Sequence, residues 1–152
     1  MALIRYTASA DNTITNAYQS NLQTRATGAN AGEADVMEIF SIYGRQTPTS
    51  SLAPASTELS RLLIQFPIST LSADRTAGNL PNSGSVEFFL EFYNTPHSRT
   101  VPKNYKLTVA AVSQSWQEGN GLDLTNYLDV VRKNSGSNWI QAQKGTNWTH
   151  RT

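Results

Sequence analysis

Leu59–Leu71, LSRLLIQFPISTL, is the stretch that decides the fold. Leu62, Ile64 and Phe66 alternate with Arg61, Leu63 and Gln65, the period of a strand with at least one buried face. Pro67 has no amide donor and a fixed φ, so pairing is expected to end there. Ile68 to Leu71 then reads as a turn that returns two apolar side chains beneath the sheet. Segments on either side supply the partners, which makes this strand the expected centre of an all-β domain.

Downstream, a polar loop from Ser72 to Gly84 carries the turn signals Pro81-Asn82 and Gly84. Ser85–Tyr93, SVEFFLEFY, alternates cleanly: Val86, Phe88, Leu90 and Phe92 on one face, Glu87 and Glu91 on a wet face that also carries Phe89 and Tyr93. Tyr105–Ser113 repeats the pattern, with Leu107, Val109 and Ala111 expected inward. Leu124–Lys133 is the helix candidate, with Thr125 as a cap and Arg132 and Lys133 at its C-terminal end. Trp139 and Trp148 follow, separated by a Gly145-Thr146 turn. Upstream, Leu3–Tyr6 is a short strand or arm. Asp11–Tyr18 reads as a strand with Ile14 as its main apolar contact, Gln19–Asp35 as loop, and Val36–Tyr43 as a strand whose two faces are both apolar. Gly44–Thr57, with two prolines, reads as an extended loop or contact arm.

Composition supports this class. The chain has 152 residues, 38% hydrophobic and 15% charged with net charge +1, so it can bury a core and carries no basic footprint for nucleic acid or an anionic membrane. Thr, Ser and Asn make up roughly three residues in ten, and these compete with helical hydrogen bonding while suiting strands and turns. With no cysteine, disulfides and thiolate metal sites are excluded. No apolar run suits a signal peptide or a membrane span. The expectation is a cytoplasmically made, all-β chain: an antiparallel β-sandwich over 1–152 with long loops and at most one or two short helices.

The order of motifs resembles the DNRLRE-type β-sandwich modules, which are similar to family 6-like jelly-roll carbohydrate-binding modules. The resemblance rests on ADNTITNAY, SRLLIQFPISTL, SVEFFLEFYN, KLTVAAVSQSWQEGNGLDL and NWIQAQKGTNW, from Ala10 to Trp148. The opening MALIRYTASADNTITNAY also looks like virion structural proteins of tailed bacteriophages. In the family, further strands follow the GT-x-W segment and complete the second sheet, whereas Thr152 lies four residues after Trp148. The resemblance therefore implies either the N-terminal part of a longer chain or a sandwich completed by a neighbouring subunit. An incomplete sandwich leaves an edge open to strand addition.

Candidate sites weigh against plainer readings. Glu118, Asn120 and Asp123, in EGNGLD, offer oxygen ligands for Ca²⁺, an ion found in similar jelly-roll modules; an ordinary turn explains the same residues. Trp148 and Trp139, with Asn138 and Gln143 and nearby Gln117, Gln141 and Asn147, supply what glycan stacking needs. Trp116, Trp139 and Trp148 serve equally as residues packed under loops with the indole N–H on backbone. His97 and His150 have no ligand partners in sequence. Glu87 and Glu91 share an outer face rather than a cleft, no G-x-S-x-G elbow is present, and no phosphate loop occurs. Asn147-Trp148-Thr149 matches a glycosylation sequon, a chance match in an Asn- and Thr-rich chain.

Two functions follow. The first is a non-enzymatic virion component in tail, neck or capsid surface, contacting other virion proteins and copies of itself. The second is a carbohydrate-binding or adhesin module for host glycans. Nucleic acid and membrane are not expected partners, and no cofactor beyond the calcium just named is implied.

Overall fold

The computed structural model describes residues 3–45, 55–81, 84–96, 98, 104, 106–122 and 136–149. Among the described residues the regular elements are mostly strands, in two small antiparallel sheets, with one short helix. It packs as two compact units, one of residues 1–6 and 67–113, the other of residues 7–66 and 114–152.

The larger unit is built on β3 (Ala55–Gln65), which lies between β1 (Ala10–Thr15) and β2 (Ser41–Arg45). β1 pairs with the C-terminal half of β3, from Ala10 opposite Gln65 to Thr15 opposite Ser60. β2 pairs with its N-terminal half, from Ser41 opposite Leu59 to Arg45 opposite Ala55. The central position expected for the Leu59–Leu71 strand is therefore correct, and Ile14 is buried at 3% exposure as expected. The buried face is not the expected one. Leu63 is the buried residue of β3 at 7% exposure, while Leu62, Ile64 and Phe66 are half-buried, so both faces receive partial cover. The strand read over Val36–Tyr43 pairs regularly only from Ser41 onward. Before that, Phe40 N–H donates to Ser60 Oγ (2.8 Å) and Glu38 N–H to Thr13 Oγ1 (3.1 Å), so side-chain oxygens stand in for ladder carbonyls.

Apart from Ile14 and Leu63, every buried apolar residue described here is an alanine: Ala17, Ala26, Ala29, Ala31 and Ala142. Asn12, Thr13, Thr15, Asn30, Ser60, Ser137 and Asn138 fill the rest of the interior. Burying polar groups in this number is tolerable only where each is hydrogen-bonded. Thr15 Oγ1 donates to Leu59 O (2.8 Å), and Asn16 Oδ1 accepts from Leu59 N–H (2.7 Å). Glu58 Oε2 accepts from Tyr18 N–H (2.7 Å). The Thr-, Ser- and Asn-rich composition thus serves the interior as well as the loops. The second sheet is the hairpin of β4 (Gln141–Gln143) and β5 (Thr146–Asn147), which turns at Lys144-Gly145.

In the smaller unit the structure corrects the reading in two places. Pro67 does end the strand, but Ile68–Thr76 forms the helix α1 rather than a turn leading into a loop. Pro67 sits at its N-cap, and Arg75 lies in the last turn, where a cation suits the helix dipole. Gly78, at φ 78°, closes the helix: its N–H donates to Arg75 O (3.1 Å) while Asn79 N–H donates to Asp74 O (2.9 Å). That double bond around a left-handed glycine is the Schellman stop. No residue of α1 is buried, so no apolar stripe marks it in the sequence.

The second correction concerns Ser85–Tyr93 and the Lys106–Ser113 part of the next expected strand. Neither is paired as a strand, and the side chains expected inward, Phe88, Leu90, Phe92, Leu107 and Val109, are exposed. Among the described residues no backbone hydrogen bond links either segment to another. The expected helix at Leu124–Lys133 lies outside the described residues.

Candidate functional site

The larger unit gathers four stretches around the N-terminal end of β1: residues 26–32, 117–121, 136–138 and the β4–β5 hairpin. Asn30 is the hub. Its Nδ2 donates to Glu118 O (2.7 Å) and to Ser137 O (2.8 Å), while its Oδ1 accepts from Gly32 N–H (3.1 Å) and Gly121 N–H (2.8 Å). An amide side chain has two donors and two acceptor lone pairs, so Asn30 is saturated. Asn12, fully buried on β1, donates from Nδ2 to Ser137 O (2.9 Å) and Oγ (2.8 Å), and its Oδ1 accepts from Ala31 N–H (2.9 Å). Two asparagines thereby tie three loops to one strand through their side-chain hydrogen bonds.

Close backbone approach makes this possible. A Cβ on Gly121 would collide with Asn30 O, and one on Gly32 with Glu118 O. Gly32 and Gly121 therefore let residues 118–121 lie directly against 30–32.

The calcium candidates lie partly within this cluster. Glu118 is half-buried and its Oε1 accepts from Asp11 N–H (2.7 Å). Burial first, and then the negative charge of Glu118, hold the Asp11 carboxyl above the usual carboxylate range. Asn120 is exposed in the same loop, and Asp123 lies outside the described residues. Among the described residues, no group of three or more His, Cys, Asp or Glu is placed to hold a metal ion. His97 and His150 lie outside the described residues.

Of the glycan candidates, Trp148 and Asn138 are bonded to each other at the hairpin. Asn138 is buried, and its Oδ1 accepts from Ile140 N–H (2.9 Å) and Gln141 N–H (2.8 Å), an Asx turn that launches β4. Trp148 is half-buried, with Nε1 donating to Asn138 O (2.8 Å) and its own amide donating to Ile140 O (3.1 Å). Trp139 is also half-buried. Its amide donates to Thr27 O (3.1 Å), and the Arg61 guanidinium lies over its ring, 4.4 Å from the centroid. Gln143 is exposed, with Nε2 at 3.5 Å from Thr146 Oγ1. Gln114 braces the far end, donating to Asn147 O (3.1 Å) and accepting from Thr149 N–H (2.8 Å).

Asn12, Asn30 and Ser137 were not legible as a group. The one sequence signal is GANAG around Asn30, a polar residue flanked by side chains small enough to be enclosed with it. Compared with protein-family profiles, curated proteins and solved structures, the chain matches none of them. Among the described residues, no helix is long and apolar enough to cross a membrane.

Proposed function

We propose that this chain is a non-enzymatic assembly protein, a β-sandwich subunit of jelly-roll type belonging to a tailed-bacteriophage virion, working through protein–protein contacts. The observation that carries this reading is the apolar surface of the smaller unit. Phe89 and Tyr93 are 82% and 80% exposed, and Phe88, Phe92 and Val109 are exposed beside them in sequence segments with strand periodicity. Apolar patches above a few hundred Å² are rare on monomers and mark contact surfaces. Completion of the sandwich by neighbouring chains accounts for segments that alternate as strands yet pair with nothing described.

Its test is the solution mass. A fixed multiple of the 16.7 kDa chain mass, held across dilution, is the expected result. A monodisperse monomer with a measurable sugar affinity overturns it.

A second reading is favoured by a separate observation: at the β4–β5 hairpin the Trp148 indole is held against Asn138, with Trp139 beside Asn138 in sequence. In that reading the hairpin holds a host glycan, with Trp148 as the stacking face. Titration with oligosaccharides followed by Trp fluorescence, repeated on Trp148→Ala, tests it.

A further inference from the structure

We infer that Asn120-Gly121 is a latent self-modification site, held shut by Asn30 in the folded chain and released, irreversibly, when residues 117–121 lift away from 30–32. This goes beyond the assembly reading and does not rest on it.

The chain contains a single Asn-Gly pair, at Asn120-Gly121, and the chemistry follows from that dipeptide. The Gly121 main-chain nitrogen, on losing its proton, attacks Asn120 Cγ. The new C–N bond closes a succinimide ring, and the side-chain nitrogen leaves as ammonia, carrying away a proton. Water then opens the ring at either carbonyl, giving aspartate or isoaspartate. No oxidant, reductant or cofactor takes part. Glycine in second place favours the attack because it has no Cβ to crowd the nitrogen and turns freely. In isoaspartate the main chain runs through the former side chain and is one methylene longer.

The fold obstructs each requirement of the attack. Asn120 is exposed, but Gly121 is buried. The Gly121 N–H donates to Asn30 Oδ1 (2.8 Å), so the proton that must leave faces an enclosed acceptor rather than a base in solvent. Gly121 O accepts from Glu33 N–H (3.0 Å), which pins the peptide on the other side of the residue. Asn30 O stands where a Cβ of Gly121 would be, leaving the residue little room to turn toward Asn120 Cγ. Asn30 is itself fixed by donating to Glu118 O and Ser137 O. The same tight fit gives the consequence. A main chain longer by one methylene, with a new carboxylate two residues from Glu118, no longer seats against Asn30. Modification of a transiently opened state therefore removes it from the folding equilibrium.

The test is ageing of the full chain at mildly alkaline pH, with peptide mapping by mass spectrometry to read conversion of the Asn120 amide to a carboxyl. The folded chain is expected to convert at least about tenfold more slowly than the same chain in urea, because the reaction waits for local opening. Asn30→Ala should accelerate conversion in buffer. Leu63→Ala, which weakens β3 but leaves the Gly121 bond in place, should accelerate it less for the same fall in urea midpoint. Residue-level hydrogen exchange of the parent chain should show a protected Gly121 amide, a reading that needs no variant to fold. After ageing in urea and dilution, the parent should lose recovered circular dichroism in step with Asn120 conversion, while Asn120→Gln, whose longer side chain cyclises far more slowly, should keep it. Equal conversion in buffer and urea, a Gly121 amide that exchanges like an exposed one, or equal acceleration by Asn30→Ala and Leu63→Ala overturns the clamp. Equal loss of refolding by the parent and Asn120→Gln overturns the consequence drawn from it.

Discussion

Asn12→Ala tests the claim that a polar network, rather than an apolar one, fastens the loops to β1. Asn12 is 0% exposed and takes part in three hydrogen bonds, two donated to Ser137 and one accepted from Ala31 N–H. Ser137 O keeps its second donor, Asn30 Nδ2 at 2.8 Å, so that carbonyl stays satisfied. Ala31 N–H is orphaned instead, at a cost of about 1–3 kcal/mol, and the remaining lost bonds contribute about 1 kcal/mol each. The expected loss is about 3–5 kcal/mol, a large fraction of the 5–15 kcal/mol typical of a whole domain. Urea denaturation followed by far-UV circular dichroism should show the midpoint falling by about 2 M with an unchanged slope. Asn12→Asp sharpens the test, since it keeps the acceptor for Ala31 but points an oxygen at Ser137 O. Its carboxyl should titrate high, the folded state binding the proton more tightly, so stability falls as pH rises through that range. A loss below about 1 kcal/mol for Asn12→Ala, or an Asn12→Asp variant as stable at neutral pH as in acid, would refute the reasoning.

The other predictions concern the same unit. Gly121→Ala drives a Cβ into Asn30 O, a collision between main chains that cannot be relieved by a rotamer; a loss of about 1–3 kcal/mol is expected by the same urea titration. Trp148→Phe preserves most of the ring but removes the bond to Asn138 O, so thermal unfolding should register about 1 kcal/mol of destabilisation. Asp11→Asn removes a carboxyl held above its ordinary range by burial and by Glu118. A raised carboxylate costs stability as pH rises past its ordinary titration range, so the variant should be the more stable at neutral pH and show a flatter melting-temperature profile above that range. A profile parallel to that of the parent chain would contradict the assignment.

Sequence periodicity located β3 and its central place because Leu59–Gln65 alternates and Pro67 ends it. It mistook the buried face because Leu62, Leu63 and Ile64 are consecutive and apolar, and period alone cannot choose between sides of such a run. α1 escaped notice for the opposite reason: none of its residues is buried, so no stripe was available to read. Its punctuation was present all the same, in Pro67 before it, Arg75 in its last turn and Gly78 after it. The site was less legible still. Asn12 and Asn30 resemble the other asparagines of an Asn-rich chain, and their amides meet Ser137, Glu118 and Gly121 only because residues distant in sequence approach them.

The two units divide their residues in opposite ways, and the division bears on function. In the larger unit small and polar side chains are buried, and the ladder is extended by hydroxyl and amide groups that reach neighbouring main chain. Such an interior gains little from apolar area and depends on the geometry of each bond, which favours one arrangement of loops over many. In the smaller unit the large apolar side chains, Phe88, Phe89, Phe92, Tyr93 and Val109, face solvent. A strand that alternates in sequence has been patterned for cover on at least one side. These exposed apolar side chains thus lie in segments whose sequence alternates, and under the assembly reading proposed above association would recover free energy that a lone copy leaves unused. By that logic, Phe89→Ser should reduce association without moving the urea midpoint of the β1–β3–β2 sheet, and Asn12→Ala should do the reverse.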